Sequence, residues 1–259
     1  MLFPISDDDS QLKGQAWVTL WLLGLNVLVY VVFQGLGANE VFTYGWSIVP
    51  LEITSGLDLV QPVPLNTGEG QVLIPQAPGP APIYLTLISS LFMHGSLMHL
   101  GGNLLYLWIF GDNVEHRFGP RAFLLFYLVS GLAGSIAQIA MDPGSPTPLL
   151  GASGAISGVL GAYLVLFPRN KVNALVAFVF VISIPAVVAI GLWIVLQVLG
   201  GLGSYAAGPS AGGVAYAAHI GGFAAGVLMG LIMRRRFKEK PPEDPFQWYI
   251  ERENARRYQ

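Results

Sequence analysis

Two polar residues interrupt the apolar segments of this chain, and their side chains can do nucleophilic chemistry. Ser153 lies in the tetrapeptide Gly151-Ala152-Ser153-Gly154 at the start of one apolar stretch, and His219 lies within another. A serine hydroxyl becomes an effective nucleophile when an adjacent histidine takes its proton. Polar groups are costly inside a bilayer, so those that remain there are functional candidates. The pair therefore predicts a hydrolase that works within a membrane.

The composition is typical of a membrane protein. Hydrophobic residues make up 53% of the 259 residues and charged residues 11%, against roughly 25% charged residues in an ordinary soluble domain. The chain has no cysteine, which excludes disulfides and cysteine-ligated zinc. It has no basic patch with interleaved aromatic residues, so the expected partner is the lipid bilayer and not nucleic acid.

Six apolar segments have lengths suited to helices that cross the roughly 30 Å hydrocarbon core of a bilayer. They are Ala16–Leu36, Leu97–Phe110, Phe123–Met141, Gly151–Phe167, Val172–Leu199 and Gly213–Met233. The pattern predicts an all-α, polytopic bundle of six transmembrane helices over residues 16–233. Pro185 lies near the middle of the fifth segment and is expected to kink that helix or to pack there for structural reasons.

The basic residues predict the orientation, because Lys and Arg favour cytoplasmic loops. They follow the second, fourth and sixth segments: Arg117, Arg121, Arg169, Lys171, Arg234, Arg235, Arg236, Lys238 and Lys240. The other three connections contain no Lys or Arg. Residues 1–15 and 234–259 are therefore expected to be cytoplasmic. The long Pro- and Gly-rich connection, residues 37–83, is then external, and it is expected to be partly disordered or to dip into the interface.

This orientation places four polar residues at a similar level on the external side. His99 and Asn103 lie in the outer half of the second span, Ser153 in the first turn of the fourth, and His219 about two turns into the sixth. His99 and Asn103 are four residues apart, so they share a helix face. They could donate hydrogen bonds to the carbonyl oxygen on which charge develops during acyl transfer. The alternative is a pair of interhelical hydrogen bonds that only stiffen the bundle.

Small residues predict a close contact between the fourth and sixth segments, because such faces let two backbones touch. His219 lies on the same face as the glycines of its segment, and Ser153 directly precedes a glycine of the other. The glycines recur every four residues: Gly154 and Gly158, then Gly222, Gly226 and Gly230. This contact could hold the imidazole against the serine hydroxyl.

The fourth segment is short, about 26 Å at 1.5 Å per residue. Its outer end is therefore expected to lie below the membrane surface, where a shallow cavity brings water to Ser153. Ser157, one turn deeper, is the rival nucleophile. It lacks the glycine two residues earlier that lets a substrate carbonyl approach, so we expect it to pack against a helix face.

Two further histidines have simpler interpretations. His94 lies nearer the surface and is expected to order the start of the second span, and His116 is expected to be solvated in a cytoplasmic loop. A zinc site formed by His94, His99 and His219 is conceivable, since imidazole binds zinc. However, the chain has no His-Glu-x-x-His motif and no carboxylate at matching depth. No metal and no cofactor are therefore expected.

Together these motifs resemble those of the rhomboid intramembrane serine proteases, from about residue 84 to residue 233. The matching set is His94-x4-His99-x3-Asn103, Glu115-x3-Gly119, Gly151-Ala152-Ser153-Gly154 and Ala218-His219-x2-Gly222-x3-Gly226. Several motifs that agree in order and spacing are more specific than any one alone.

The resemblance implies a Ser–His dyad without a third, acidic member. Ser153 would be the nucleophile, and His219 the base that takes its proton and later protonates the leaving amine. His99 and Asn103 would bind the oxyanion. The implied substrates are membrane proteins, cut in or just outside a transmembrane segment. The fifth span would be the lateral access route for the substrate, with Pro185 in a gating role.

The remaining matched residues would be structural neighbours of the site or of the second span. Glu115 and Gly119 match a structural feature at the cytoplasmic end of that span. Many relatives carry an aromatic residue where this chain has Ser157, so the orientation of the histidine would depend on other packing. The residues expected near the site are His94, Gly151, Gly154, Gly222, Gly226 and Glu115.

Two other classes of protein stay open. One is a non-catalytic member of the same fold that binds or escorts membrane clients, a class that typically lacks the serine or the histidine. The other is a small transporter or channel, which needs a polar route through the whole bilayer. The expected location is the plasma (inner) membrane, with the site on the external or periplasmic side.

Overall fold

A computed structural model describes residues 2–9, 12, 14–67, 70–176, 179–207 and 214–236. In chain order the elements are β1 (Leu2–Asp7), α1 (Trp17–Leu28), α2 (Glu40–Gly45), α3 (Pro50–Ser55), β2 (Val63–Thr67), β3 (Gly70–Ile74), α4 (Thr86–Ser89), α5 (Leu97–Phe118), α6 (Pro120–Met141), α7 (Ser153–Leu166), β4 (Lys171–Val176), β5 (Phe180–Pro185), α8 (Ala186–Ala207) and α9 (Tyr216–Arg236). A π-helical turn, Val29–Phe33, extends α1. The protein is mostly helical.

Three of the described helices, α6, α8 and α9, are long and apolar enough to cross a membrane. α5 and the short helices over Ile83–Phe92 form a pair bent by 74°, which makes a fourth span if the pair counts as one. Trp17–Phe33 and Ser153–Leu166 are shorter apolar helices. The chain is an integral membrane protein, while the count of six spans and the orientation of the termini stay predictions.

The helix α7 is the buried centre of the bundle, and its residues from Gly154 to Tyr163 are all buried. Glycines bring α9 directly against it. A Cβ atom added at Gly222 would lie 2.0 Å from the carbonyl oxygen of Gly154, and one added at Gly226 would lie 2.0 Å from that of Gly158. Since no side chain fits in that space, the two backbones are in contact.

The predicted fifth span, Val172–Leu199, is wrong in its first half. That stretch forms the antiparallel hairpin β4–β5, and α8 begins only at Ala186. A short apolar run rich in β-branched residues suits a strand as well as a helix. Here β1 supplies the pairing partner, giving a three-stranded sheet in the order β1-β4-β5. Pro185 ends β5, so it does not kink the middle of a membrane helix.

The all-α prediction also needs a correction, because the described residues form a second sheet, the hairpin β2–β3. This hairpin, α2 and α3 all lie within residues 37–83, which were expected to be partly disordered or to dip into the interface. The N-terminal segment likewise forms a strand, β1. At the other end, α9 runs to Arg236, and the rest of the predicted tail, residues 237–259, lies outside the described residues.

Glu115 joins α5 to the start of α1. Its carboxylate accepts hydrogen bonds from the backbone N–H of Val18 (2.9 Å) and of Thr19 (2.7 Å) and from the Thr19 hydroxyl (2.8 Å). The first N–H groups of a helix lack partners within it, so a buried carboxylate satisfies them. Gly119 then ends α5 with φ +80°, a conformation that favours glycine. The Glu115–Gly119 motif therefore attaches α5 to the start of α1 and determines where α5 ends.

The helix α5 extends eight residues beyond the predicted second span, to Phe118. His116 is consequently half-buried in a helix, with its Nδ1 atom 2.7 Å from the carbonyl oxygen of Asp112. The prediction of a solvated histidine in a loop is wrong. Polar residues that suggested a loop are accommodated in the helix, because they bond within it, as His116 does, or to other elements, as Glu115 does.

A group of hydrogen-bonded polar side chains lies near the C-terminal end of α7, and we call Asp7, Asp9, Asn113 and Tyr163 the acidic anchor. The Tyr163 hydroxyl donates to Asp7. The Asn113 amide donates to both Asp7 and Asp9, each at 2.9 Å. Burial raises the pKa of Asp7 to about 8, and the nearby charge of Asp9 adds to that rise. The anchor attaches β1 to α5 and α7.

Candidate active site

Ser153 and His219 lie within hydrogen-bonding distance of each other. Ser153 is the first residue of α7, and His219 is in the first turn of α9. The His219 Nε2 atom is 2.8 Å from the Ser153 Oγ atom. The backbone contact between Gly154 and Gly222 explains this short distance, because it fixes the two helices beside the two side chains. The pair has the geometry of a nucleophile and its base.

Gly151 shapes the approach to Ser153. Its φ of +135° disfavours a side chain, and its N–H donates to the carbonyl of Ser90 at 2.9 Å. A Cβ atom at this position would lie 2.9 Å from Cε1 and 3.0 Å from Nε2 of His99. Only glycine therefore lets the His99 ring come this close to the turn before Ser153.

Two residues of α8 hold the other side of the His219 ring. The His219 Nδ1 atom is 2.8 Å from Oε1 of Gln197. Trp193 lies with its ring centroid 6.1 Å from that of His219, at an interplanar angle of 36°. Sequence reasoning missed both residues. The signal was present, because Gln197 is a polar residue within a predicted membrane helix.

The Ser157 hydroxyl forms a hydrogen bond within its own helix. Its hydroxyl donates to the backbone carbonyl of Ser153 at 2.6 Å, and the residue is 1% exposed. A substrate cannot reach a hydroxyl buried in this way. Trp193, which comes from another helix, provides the aromatic neighbour of His219 that is absent at position 157.

His99 and Asn103 lie on one face of α5. Ser96 caps this helix by accepting the His99 backbone N–H at 3.1 Å. The Asn103 side chain is 9% exposed, and its Nδ2 atom has no hydrogen-bond partner among the described residues. A buried donor without a partner is costly in a resting protein. It is consistent with a group that binds charge formed during a reaction.

The His94 side chain is fully buried within the protein, while its position nearer the membrane surface stays a prediction. The Gln34 side chain holds its backbone at both ends, accepting the His94 N–H and donating to its carbonyl, each at 2.9 Å. The His94 ring packs edge-on against that of His99, with 5.2 Å between centroids. His94 thus supports His99, and Gln34 is a contributor that the sequence reasoning missed. No group of His, Asp or Glu side chains in the described residues is placed to hold a metal.

A small cavity of about 30 Å³ lies beside Ser153. This volume is about that of one water molecule in the liquid. Besides Ser153, the polar side chains in its wall are those of Ser90, Ser135 and Gln138. The Gln138 side chain also accepts the Ala218 backbone N–H at 3.2 Å. The site therefore combines a serine, a base and room for water within a helical bundle.

These features define an integral membrane bundle with a serine–histidine pair, and comparison with known proteins identifies its family. The family model described as "Rhomboid domain" matches residues 82–236. The chain belongs to the rhomboid family. It is 36% identical over 156 residues to "Rhomboid protein 1, mitochondrial" of Saccharomyces cerevisiae, a match that covers 56% of this chain and 41% of the yeast protein.

Two further relatives extend the comparison. "Rhomboid protease GluP" of Bacillus subtilis is 44% identical over 85 residues, covering 33% of this chain and 16% of that protein. "RHOMBOID-like protein 5" of Arabidopsis thaliana is 31% identical over 156 residues, covering 58% of this chain and 44% of that protein. The chain thus spans less than half the length of these relatives.

The relatives also bear on location. The yeast protein and an Arabidopsis protein, "RHOMBOID-like protein 6, mitochondrial", are named as mitochondrial, whereas the Bacillus protein is bacterial. The expected assignment to the plasma membrane is therefore not supported. The supported location is that of an integral membrane protein.

Proposed function

We propose that this protein is an intramembrane serine endopeptidase that hydrolyses peptide bonds in or near transmembrane segments of other membrane proteins. The observation that carries the proposal is the 2.8 Å contact between Ser153 Oγ and His219 Nε2. Membership of the rhomboid family and the named protease among its relatives support the same reaction. We further propose six membrane crossings, with both termini on the side opposite Ser153.

In the proposed reaction, His219 takes the Ser153 proton as the serine oxygen attacks the substrate carbonyl. The carbonyl oxygen becomes an oxyanion, which accepts hydrogen bonds from His99 and Asn103. His219 then gives its proton to the leaving amine as the peptide bond breaks. A water molecule, activated by His219, hydrolyses the acyl-enzyme and releases Ser153. The cavity beside Ser153 has room for that water.

The decisive experiment is Ser153→Ala in liposomes, with a model single-pass membrane protein as substrate. Cleavage is expected to fall by a factor on the order of 10⁴ or more, because nucleophile and base act as a unit. A fluorophosphonate probe should label the wild-type protein at Ser153 and leave the variant unlabelled. The matched control is Ser204→Ala, which removes a hydroxyl from α8 and should keep full activity.

Unchanged cleavage by Ser153→Ala, or labelling of the wild type elsewhere, would refute the proposed nucleophile. A protein that binds the substrate equally well with Ser153→Ala and His219→Ala, and never cleaves it, would instead be a non-catalytic carrier of membrane clients. Steady solute flux through proteoliposomes would point to the transporter class.

A further inference from the structure

We propose that Gln197 is a positioning residue that fixes the proton on Nδ1 of His219, and so makes Nε2 the atom that accepts the serine proton. This inference rests on the proposed function and adds a third member to the pair. Gln197 lies on α8, whereas Ser153 and His219 lie on α7 and α9. The Ser153–His219–Gln197 arrangement therefore draws one residue from each of three helices, and α8 contributes a positioning residue as well as packing.

The chemistry of the amide determines the tautomer. An amide oxygen accepts hydrogen bonds and never donates them. With Oε1 of Gln197 at 2.8 Å from Nδ1, that nitrogen must carry a proton. Neutral imidazole has one N–H, so Nε2 is then the unprotonated nitrogen. It is the atom that faces the Ser153 hydroxyl at 2.8 Å, as proton abstraction requires.

The same contact helps during the reaction. When Nε2 takes the serine proton, the ring becomes an imidazolium with a proton on each nitrogen. The Nδ1–H bond to Gln197 then becomes a charge-assisted hydrogen bond, which is stronger than its neutral counterpart. The carboxylate of a serine–histidine–aspartate triad plays this part with a full negative charge. The Gln197 amide stabilises the imidazolium with its dipole, so no anion has to lie among apolar residues.

Trp193 is the second residue of α8 that contacts His219. It lies one helical turn before Gln197 on α8, and its ring packs near that of His219. The amide thus fixes one edge of the imidazole, while the indole restricts the rotation of its plane. Both contacts come from α8, so His219 is held in this orientation only while α8 lies against α9.

The surroundings of His219 make this contact testable through pH dependence. Among the described residues, its ionisable neighbour is His99 on α5. The elements α7 and α8 present the uncharged Ser153, Gln197 and Trp193, and the uncharged Gln138 of α6 binds the backbone of the adjacent Ala218. A charge introduced at position 197 would therefore act on His219 without competition from an existing carboxylate.

The test compares Gln197→Met, which keeps the length of the side chain and removes the amide, with Gln197→Glu, which keeps an acceptor oxygen and adds a charge. Gln197→Met is expected to lower kcat by about 10- to 100-fold, the range found when the hydrogen-bond partner that orients a metal-binding histidine is removed. KM should stay unchanged, and the labelling of Ser153 by a fluorophosphonate should slow by the same factor.

Gln197→Glu is expected to retain more activity than Gln197→Met. Its carboxylate favours the imidazolium, which cannot act as a base, so the acidic limb of the kcat/KM profile should move to higher pH. Ser204→Ala, on the same helix, is the control for general effects on α8 and should match the wild type. Equal losses in Gln197→Met and Gln197→Glu with unshifted pH profiles would mean that position 197 only packs, and wild-type kinetics in Gln197→Met would overturn the proposal directly.

A second measurement separates this inference from the proposed function. Nitrogen NMR of labelled histidine reports which ring nitrogen carries the proton, with His219→Ala used to assign the signal. Wild-type protein should show the Nδ1–H form for His219, and Gln197→Met should show a mixture of both forms. The Nε2–H form in the wild type would overturn the assignment. Failure of Ser153 to cleave or to be labelled would count against the proposed function and would leave this spectrum unchanged.

Discussion

The two ends of α7 carry polar groups of different kinds. At its N-terminal end, Ser153 is linked through His219 to Gln197, and each of these groups is uncharged in the proposed resting state. At its C-terminal end, Tyr163 joins the acidic anchor, where the Asn113 amide bridges the carboxyl groups of Asp7 and Asp9. Both groups connect elements that are distant in the chain.

The two groups of polar residues differ in how much hydrogen-bonding capacity they leave unused. In the acidic anchor, the described amide and hydroxyl donors are used in bonds between side chains, as suits a structural attachment. Beside Ser153, the Ser90 hydroxyl lies in the wall of the cavity and is buried without a described partner, and the Nδ2 donor of Asn103 on α5 is buried without one as well. Unused hydrogen-bonding capacity beside a cavity is therefore the feature that separates the candidate catalytic end from the structural end.

The largest effect in this comparison is expected from Asn103→Ala. Removing a donor to an oxyanion typically lowers kcat by about 10²- to 10³-fold. Because the Asn103 Nδ2 atom has no described partner in the resting protein, the thermal stability should change little. Assays of kcat and of Tm on the same preparation check both parts. A lower Tm with unchanged kcat would show that Asn103 belongs to the scaffold.

A smaller effect is expected from Gly222→Ala. The added Cβ would meet the Gly154 carbonyl oxygen at 2.0 Å, so α7 and α9 must separate, at a cost of about 1–3 kcal/mol for an overpacked contact. His219 would move away from Ser153, and both Tm and kcat should fall. The control is Gly24→Ala on α1, where a Cβ meets nothing within 4 Å. Equal behaviour of the two variants would contradict the close contact.

The smallest effect is expected from Asp7→Asn, in the acidic anchor at the C-terminal end of α7. The pKa of Asp7 is raised to about 8 by burial, from an ordinary value of 3.8. The folded protein therefore binds a proton that the unfolded chain has lost, and this contribution to stability is fully present below about pH 4 and is lost as the pH rises through 8. Asp9 and Asp112 are the neighbouring charges that oppose ionisation.

Wild-type protein should lose Tm as the pH rises from about 4 to about 8, on the order of 3 °C, and Asp7→Asn should lose less. Thermal denaturation in detergent at a series of pH values measures this. Activity should follow stability only, because Asp7 lies at the end of α7 remote from Ser153. An Asp7→Asn variant with the wild-type pH dependence of Tm would place the titrating group elsewhere.

The sequence was informative about helices and about the residues that now lie together. The predicted third span, Phe123–Met141, differs from α6 by three residues at its start, because a long apolar run without breakers has few alternatives. The glycine spacing was informative as well, because it predicted the close contact between α7 and α9. At Gly222 a side chain would collide with the Gly154 carbonyl oxygen.

The sequence was less informative where a partner from elsewhere in the chain decides the structure. The segment from Val172 to Pro185 is apolar enough for a helix, and its pairing with β1 makes it a strand. For residues 1–15 the sequence predicted a cytoplasmic location and no contacts with the bundle, whereas Asn113 and Tyr163 bind Asp7. Gln197 was missed for a related reason, because its role depends on contact with a histidine on another helix.

The pairing of β1 with β4 has a consequence for assembly. β1 precedes α1 and its partner strand β4 follows α7, so the three-stranded sheet can close only after the helices between them have been made. β5 continues directly into α8, the helix that carries Gln197. The attachment of α8 is therefore completed late in biogenesis. If β1 has not paired with β4, the start of α8 is not held in place, and α8 is the helix that we propose orients His219.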